Sequence, residues 1–306
     1  MEDNKEYIDI IKNALDGDVM KVDLVSQTSN IVFKVQTEKY GIVYAKFYLN
    51  RSSHIDNEMH LYSLLNQKYL KEPIVSSENP KFAIFKELKG KVLDELSPEE
   101  ITANKEKIVD SLIYFYETIG SQKTKGFGIL DENMNGTSES FQDFIVKRQT
   151  GTEEVLKGYP VLGTAFSEIY KKYGTLLVGA NSLVPIDTNA KNVMLTDSGD
   201  VKFIDPGELI SAPKLMGYGD FVAHTYKTEL YDSLIKKLNL SKEDEQRLRI
   251  YAVFSSLNVL AFLKNLGVSD LDKVIPYGNK YTFYSLIEEH LKELGINTQN
   301  IDVEDR

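Results

Sequence analysis

Residues 184–208 constrain the fold of this chain more than any other segment. They read VPIDTNAKNVMLTDSGDVKFIDPGE, in which two short apolar runs flank an Asp-Ser-Gly-Asp sequence. Asp and Gly adopt the backbone conformations that a tight turn requires, and the alternation of apolar and polar residues on either side is typical of strands. The segment therefore predicts a β-hairpin that follows a polar loop and ends at a Pro-Gly turn.

Three side chains with oxygen donors stand at the edges of this hairpin: Asp187, Asn192 and Asp205. Transfer of a phosphoryl group from a nucleoside triphosphate uses such groups. One carboxylate accepts the proton of the attacking hydroxyl, and a second carboxylate with an amide holds Mg²⁺ on the phosphates. Each residue alone would be an ordinary turn residue. Their order indicates Asp187 as a catalytic base and Asn192 and Asp205 as Mg²⁺ ligands.

The spacing Asp-x₄-Asn followed by a hydrophobic-Asp turn resembles the catalytic loop and metal-binding turn of the protein-kinase superfold. Within that superfold the chain is most similar to the aminoglycoside phosphotransferase and choline kinase family, which has an Ile-Asp-x-Gly turn (here residues 204–207) and a further Asp that opens a helix (here Asp220). The resemblance implies an α+β, bilobal protein-kinase-like fold. A small β-rich N-lobe with one main helix would occupy residues 1–88, and a larger, mostly helical C-lobe residues 89–306.

A kinase N-lobe places a lysine on a strand and a glutamate on the helix that follows, so that the pair can hold the α- and β-phosphates. Lys46 lies in an aromatic and β-branched run, residues 40–48, and Glu58 lies twelve residues later in a segment with a helical pattern. Two solvated surface charges would be the simpler interpretation of either residue alone. Their position before the hairpin, in the order that the resemblance requires, favours a phosphate clamp.

Two further segments are candidates for nucleotide contacts. The turn that contains Thr28 and Ser29 precedes the lysine strand and has no glycine, so it would contribute hydroxyl groups to a phosphate; a plain hairpin turn is an equal alternative. By its place in the chain, the segment Lys86, Glu87 and Leu88 resembles the hinge between kinase lobes, whose backbone groups bind the adenine edge.

The chain departs from the family pattern at Pro185. The family has a histidine two residues before the catalytic aspartate, where it braces the loop, whereas proline has no side-chain hydrogen bond to offer. The resemblance assigns a second brace to Asp220, which would accept backbone N–H groups of the catalytic loop. We therefore expect the geometry of the loop, rather than its chemistry, to be affected.

Composition excludes several other classes of protein. The chain has no cysteine, which rules out disulfides, zinc–thiolate sites and cysteine nucleophiles. Its formal net charge of −10 argues against binding to nucleic acid and is compatible with a cationic small molecule, although acidity also serves solubility. We find no signal peptide pattern and no apolar run long enough for a membrane span, so a cytoplasmic protein is expected.

Beyond the hairpin, the coarse pattern predicts where the elements lie. A short helix is expected at residues 5–16, strands and one helix at 21–87, and a helix after Ser97 and Pro98, a good N-cap and first helical residue. Residues 126–139 resemble a loop. Further helices are expected at 141–157, 162–173, from Asp220 to about 263, and at 282–294.

These features predict an enzyme that transfers the γ-phosphate of ATP or GTP to a hydroxyl of a small molecule, such as an aminoglycoside-like or other antibiotic. A metabolic kinase for choline or an amino sugar would carry the same residues, and a nucleotide-binding pseudokinase or scaffold would account for Pro185. A protein kinase is disfavoured, because the segment from Asp205 to Asp220 is short for an activation loop and lacks Ala-Pro-Glu. The protein is expected to be a monomer or a homodimer.

Overall fold

A computed structural model of the chain describes residues 4–27, 30–49, 53–65, 69–206 and 208–297, with only the backbone of 53–58. The chain forms two compact units. The N-terminal unit comprises Met1–Gly90 together with Thr196–Asp205, and the C-terminal unit comprises Lys91–Leu195 together with Pro206–Arg306. The segment that contains Asp205 thus belongs to the N-terminal unit, although it lies far along the chain.

The N-terminal unit is built on a five-stranded antiparallel sheet in the order β1-β2-β3-β5-β4. Apolar residues at alternate positions of the second strand, Ile31, Phe33 and Val35, share one face because side chains of a strand alternate. Ile11 of the first helix packs in the same buried cluster. The elements are α1 (Lys5–Ala14), β1 (Lys21–Gln27), β2 (Asn30–Thr37), β3 (Gly41–Tyr48), α2 (Ser53–Leu64), β4 (Val75–Glu78) and β5 (Lys81–Lys86).

The predicted hairpin is confirmed by two strands, β10 (Val193–Thr196) and β11 (Val201–Phe203). The turn between them is closed by the Gly199 N–H, which donates to the Thr196 carbonyl at 2.7 Å, and Gly199 has a φ of +77° that suits glycine. At the far end, the Phe203 N–H donates to the Tyr69 carbonyl at 2.9 Å. These bonds fix the strand that leads to Asp205.

The C-terminal unit is mainly helical, and polar caps determine where several of its helices begin. Ser97 forms a complete capping box with Glu100, as the sequence predicts. The helices are α3 (Pro98–Gly120), α4 (Phe141–Leu156), α5 (Ala165–Tyr173), α6 (Leu215–Thr225), α7 (Glu229–Leu238), α8 (Lys242–Asn265) and α9 (Phe283–Glu293). No helix of the described residues is long and apolar enough to cross a membrane.

A four-stranded sheet in the order β8-β7-β12-β9 completes this unit. Its strands are β7 (Phe127–Leu130), β8 (Gly136–Ser138), β9 (Ser182–Pro185) and β12 (Leu209–Ala212), while β6 (Gly90–Val92) lies where the chain enters the unit. The expectation of a loop at residues 126–139 is therefore wrong. β8 pairs with β7, and β7 in turn pairs with β12, whose Ile210 lies opposite Ile129. No local pattern reveals a pairing with so distant a part of the chain.

The helix that carries Asp220 also differs from expectation. It begins at Leu215, so Asp220 lies in its middle and does not open it. Every residue from Met216 to Thr225 is buried, and Gly219 lies so close to α8 that an added Cβ would be 2.5 Å from the Tyr251 Cβ. Apolar packing rather than a polar cap thus sets the extent of this helix.

Candidate functional site

Lys46 lies on the central strand of the N-terminal sheet, where its backbone pairs with Val32 on one side and Ala83 on the other. The residue is only 7% exposed. Its Nζ lies 2.6 Å from Oδ1 of Asp205 and 4.7 Å from the centroid of the Tyr48 ring. A buried ammonium is costly unless it is paired, so the sheet holds a cation in place and Asp205 is one of its counter-ions.

Asp205 follows β11 and has a backbone φ of +49°, in the left-handed region that Asp and Asn tolerate better than most residues. Its side chain is 48% exposed although it contacts Lys46. The carboxylate is thus positioned by an uncommon backbone conformation while it remains accessible. Uncommon conformations of this kind are found most often at functional sites.

Several predicted nucleotide residues lie outside the described parts of the structure. Thr28 and Ser29 are among the residues that are not described, and the side chain of Glu58 is not described although its backbone belongs to α2. The predicted roles of these three residues therefore stay predictions.

The predicted hinge residues continue from the end of β5. The Glu87 N–H donates to the Ile42 carbonyl at 3.0 Å, and the Glu87 carbonyl accepts from Lys71 Nζ at 2.8 Å. Burial lowers the pKa of Lys71 to about 8, helped by the nearby charges of Lys86 and Lys202. The predicted contacts of Lys86, Glu87 and Leu88 with a nucleotide base stay a prediction.

In the C-terminal unit, Asp187 is exposed and lies in a loop whose residues hydrogen-bond to one another. Asn192 donates from Nδ2 to the backbone carbonyl of Asp187 at 2.8 Å, and Asn189 donates from Nδ2 to the Asp187 carboxylate, also at 2.8 Å. The Asn192 N–H in turn donates to the Asn189 carbonyl at 3.0 Å. The two predicted residues are therefore brought together, and Asn189 is a partner that sequence reasoning missed.

A buried hydrogen-bonded group supports this loop from below. The Thr188 N–H donates to Oδ2 of Asp220 at 2.7 Å, and the Ser255 hydroxyl donates to Oδ1 at 2.5 Å. The Thr188 hydroxyl also bonds to the hydroxyl of Tyr116. The predicted contact between Asp220 and the backbone of the loop is present, from the middle of α6.

Burial dominates the electrostatics of this support. It raises the pKa of Asp220 from its ordinary 3.8 to about 6, against the opposing effects of the hydrogen bonds from Ser255 and Thr188 and of the Arg148 charge. Burial likewise raises the pKa of Tyr116 well above its usual range, with the Asp220 charge as the next cause. The tyrosine therefore stays a neutral hydrogen-bonding group.

Pro185 is accommodated at the end of β9, which lies at the edge of its sheet, a position that tolerates proline. It pairs with Leu209, and the next residue, Ile186, donates its N–H to the Glu208 carbonyl at 3.0 Å. The chain is thus anchored by backbone bonds on both sides of Asp187, at Ile186 and Thr188.

The residues proposed as metal ligands fit Mg²⁺ chemically. Asp205 supplies a carboxylate and Asn192 an amide oxygen, and Mg²⁺ takes such oxygen donors together with substrate phosphates. Because Asn192 donates through Nδ2, its oxygen remains as the atom that can meet a cation. Within the described residues no three His, Cys, Asp or Glu side chains cluster in a manner that could hold a metal by themselves.

Comparison of the sequence with models of known families and with curated proteins gives no match. The fold does match solved structures. A thermostable mutant of aminoglycoside phosphotransferase APH(4)-Ia aligns with a TM-score of 0.66 at 14% identity, over 85% of this chain and 92% of that chain. Choline kinase LicA from Streptococcus pneumoniae aligns with a TM-score of 0.61 at 14% identity, over 95% and 99%.

The gentamicin complex of APH(2″)-IIa is also similar, with a TM-score of 0.60 at 12% identity over 96% of this chain and 97% of that chain. All three are proteins of the protein-kinase-like fold. The chain therefore has this fold, with a β-sheet N-terminal region and a helical C-terminal region, as the sequence predicts.

Proposed function

We propose that this protein is a small-molecule kinase that transfers the γ-phosphate of ATP or GTP to a hydroxyl group with the help of Mg²⁺. The observation that carries the proposal is the pair of Lys46 and Asp205. Lys46 is buried on a central strand, and the half-exposed carboxylate of Asp205 lies 2.6 Å from its Nζ. Burial of a lysine ammonium costs free energy, and charged groups held in this way are found more often at functional sites than elsewhere. Triphosphate binding is such a function, because Lys46 can exchange its contact for phosphate oxygens.

The chemistry follows from the residues. Bound Mg²⁺ neutralises charge on the phosphates. Lys46 orients the α- and β-phosphates, and Asp187 accepts the proton of the acceptor hydroxyl. That oxygen attacks the γ-phosphorus, the bond from the γ-phosphorus to its bridging oxygen breaks, and the nucleoside diphosphate departs with the electron pair. Asn192 and Asp205 would supply the protein's oxygen ligands to Mg²⁺.

The catalytic loop supports the role of Asp187 as a base. The carboxylate is exposed while the backbone around it is fixed by Asn192, Thr188 and Ile186. A proton acceptor must be accessible and well positioned at once, because proton transfer requires hydrogen-bonding distance to the hydroxyl. A scaffold that only binds nucleotide would not need an exposed carboxylate held in this way.

The solved relatives set the range of acceptors worth testing. Two are named as aminoglycoside phosphotransferases and one as a choline kinase. A hydroxyl-bearing antibiotic and a hydroxyl-bearing metabolite are accordingly the two acceptor classes of this proposal. Complexes of the relatives with AMP-PNP and ADP make ATP the first nucleotide to test, with GTP beside it.

The test separates the two carboxylates. Asp187→Asn keeps the shape of the side chain but removes the proton acceptor, and we expect turnover to fall by about 10²- to 10⁴-fold with little change in affinity for Mg-ATP. Asp205→Asn should weaken Mg²⁺-dependent nucleotide binding as well as turnover. Asp9→Asn, on an exposed position of α1, is the matched control and should behave as wild type.

The measurements are ADP formation across a panel of hydroxyl acceptors and calorimetric titration with nucleotide plus Mg²⁺. Absence of nucleotide binding, with ATP and GTP and with Mn²⁺ also tried, would refute the proposal. Nucleotide binding without turnover of any acceptor would favour a scaffold. If Asp187→Asn turned over an identified acceptor like wild type, the assigned base would be wrong.

A further inference from the structure

A loop of the C-terminal unit, residues 275–281, is built as firmly as the catalytic loop. The Asn279 side chain donates from Nδ2 to the carbonyls of His224 and Tyr226 at 2.9 and 3.0 Å. Its Oδ1 accepts from the backbone N–H groups of Lys280 and Tyr281 at 2.8 and 3.1 Å. One side chain thus ties the loop to the end of α6 with two hydrogen bonds and braces the loop itself with two more.

This 275–281 loop is connected through Asp94 to the loop that contains Asp187. The Gly278 N–H donates to Oδ1 of Asp94 at 2.7 Å, and the Asp94 N–H donates to the Ala190 carbonyl at 3.2 Å. Gly278 has a φ of +75°, and a Cβ added there would lie 3.0 Å from the Ala190 Cβ. Glycine therefore permits a close approach between the two loops that another residue would obstruct.

The approach places a cation on an aromatic ring beside the proposed catalytic residues. Lys191 Nζ lies 3.9 Å from the centroid of the Tyr277 ring, a close cation–π contact. Lys191 immediately precedes Asn192, so their Cα atoms are about 3.8 Å apart. Because the Asn192 side chain bonds to the Asp187 backbone, Lys191 belongs to the same anchored loop as Asp187.

Lys191 and Tyr277 are both accessible. Tyr277 is 44% exposed, and Ile275 in the same loop is 51% exposed. None of the ion pairs between described residues involves Lys191. The nearby acidic group, Asp94, already accepts the Gly278 N–H. Lys191 thus presents an exposed positive charge without an ion-pair partner in the described part of the chain, although the chain as a whole carries a net charge of −10.

We propose that Lys191 and Tyr277 form an acceptor subsite, and that the phosphate acceptor carries an anionic group, a carboxylate or a phosphate, beside its reactive hydroxyl. The inference rests on the proposed function and narrows its acceptor class. Lys191 pairs with the anion, while the exposed face of Tyr277 packs against the body of the acceptor. The ammonium of Lys191 would repel a polycationic acceptor. The net negative charge of the chain therefore does not predict the charge of the acceptor at this site.

The probes are matched acceptors that share a ring and differ in charge: glucuronate, glucose and glucosamine, with a second series of 4-hydroxybutyrate and 1,4-butanediol. Turnover is followed by ADP formation, and binding to the protein without nucleotide by saturation-transfer NMR. We expect both to favour the anionic member of each series. Inorganic phosphate, tested as a competitor, distinguishes a phosphate site from a carboxylate site.

Variants then assign the preference to the two residues. Lys191→Gln should raise KM for anionic acceptors by about tenfold to a hundredfold, as expected for loss of a charged hydrogen bond, with kcat and the affinity for Mg-ATP little changed. Tyr277→Leu, which removes the ring, should raise KM by a smaller factor. Tyr277→Phe, which keeps the ring, should have the KM of the wild type. Lys236→Gln, at an exposed position of α7, is the control for loss of a positive charge.

Each outcome decides the inference. A preference for the neutral or cationic acceptors overturns the inference. A fall in kcat without a change in KM in Lys191→Gln also overturns it, because the lysine would then act on the transferred phosphoryl group. If no acceptor is turned over, the proposed function fails separately. Binding of glucuronate that is lost in Lys191→Gln would then still support the subsite, and absence of any anion preference in binding would overturn it.

Discussion

The buried carboxylate of Asp220 predicts a measurable link between proton binding and stability. Burial raises its pKa in the folded protein to about 6, above the ordinary value of 3.8. A group whose pKa is higher in the folded state binds its proton more tightly there. Its contribution to stability is therefore present below pH 3.8 and is lost as the pH rises through about 6.

The magnitude follows from the gap of about two pH units. Each unit corresponds to about 1.4 kcal/mol, so ionisation of Asp220 costs the folded state about 3 kcal/mol in total. About 2 kcal/mol of this lies between pH 4.5 and pH 8. Asp220→Asn retains an oxygen that can accept the Thr188 N–H but has no charge to bury, so it lacks this pH dependence.

The assay is chemical denaturation of wild type and Asp220→Asn at a series of pH values from 4.5 to 8. We expect the stability of the wild type relative to the variant to increase by about 2 kcal/mol as the pH falls over this range. The comparison between the two proteins is essential, because His224 and His290 titrate in both. Burial lowers their pKa values to about 4 and about 3, so their contribution runs in the opposite direction.

A second variant sharpens the experiment. The hydrogen bond from Ser255 lowers the pKa of Asp220, so Ser255→Ala should raise that pKa further and enlarge the dependence on pH. A stability difference between wild type and Asp220→Asn that stays constant from pH 4.5 to 8 would refute the reasoning. Such a result would mean that the Asp220 carboxylate is in contact with water in the folded protein.

Two further predictions concern neighbouring groups. His290 is fully buried and neither ring nitrogen has a hydrogen-bond partner among the described residues. Because burial lowers its pKa to about 3, the ring stays neutral in the folded protein at pH 5, whereas the unfolded chain takes up a proton as the pH falls below about 6.5. His290→Leu should therefore raise the free energy of unfolding by about 1–2 kcal/mol at pH 7 and by more at pH 5. Denaturation at both pH values tests this, and a variant less stable than wild type at pH 5 would contradict it. Pro185→His should keep kcat within about tenfold of wild type, since Ile186 and Thr188 already anchor the loop, whereas a loss beyond a hundredfold in ADP formation would show that the proline itself is required.

Local features of this fold could be predicted from the sequence because their causes lie within a few residues. The hairpin depends on a turn that Gly199 makes possible, and the start of α3 depends on Ser97 and Glu100, three residues apart. The pairing of Asn192 with Asp187 is also local, five residues apart. Short-range geometry of this kind leaves a recognisable pattern of residues.

What could not be predicted depends on contacts between distant parts of the chain. Tyr116 bonds to Thr188 of the loop that contains Asp187 across 72 residues, and Ser255 bonds to Asp220, which supports that loop, across 35 residues. Nothing around either residue distinguishes it from an ordinary helix position. Lys191 shows the same limit, because its role depends on a ring 86 residues later that only the folded chain brings beside it. Asn189 could have been identified as an Asx-turn residue, because its Oδ1 accepts the N–H of Lys191 two residues later.

The assignment of Thr196–Asp205 to the N-terminal unit has a consequence for how this protein can be divided. A fragment that stops at Gly90 would contain every strand of the five-stranded sheet but would lack Asp205. Lys46 would then keep its buried position on the central strand without that counter-ion, a costly arrangement. Residues 1–90 expressed alone should therefore give an unstable product. Chimaeras between proteins of this fold should exchange the hairpin together with the sheet.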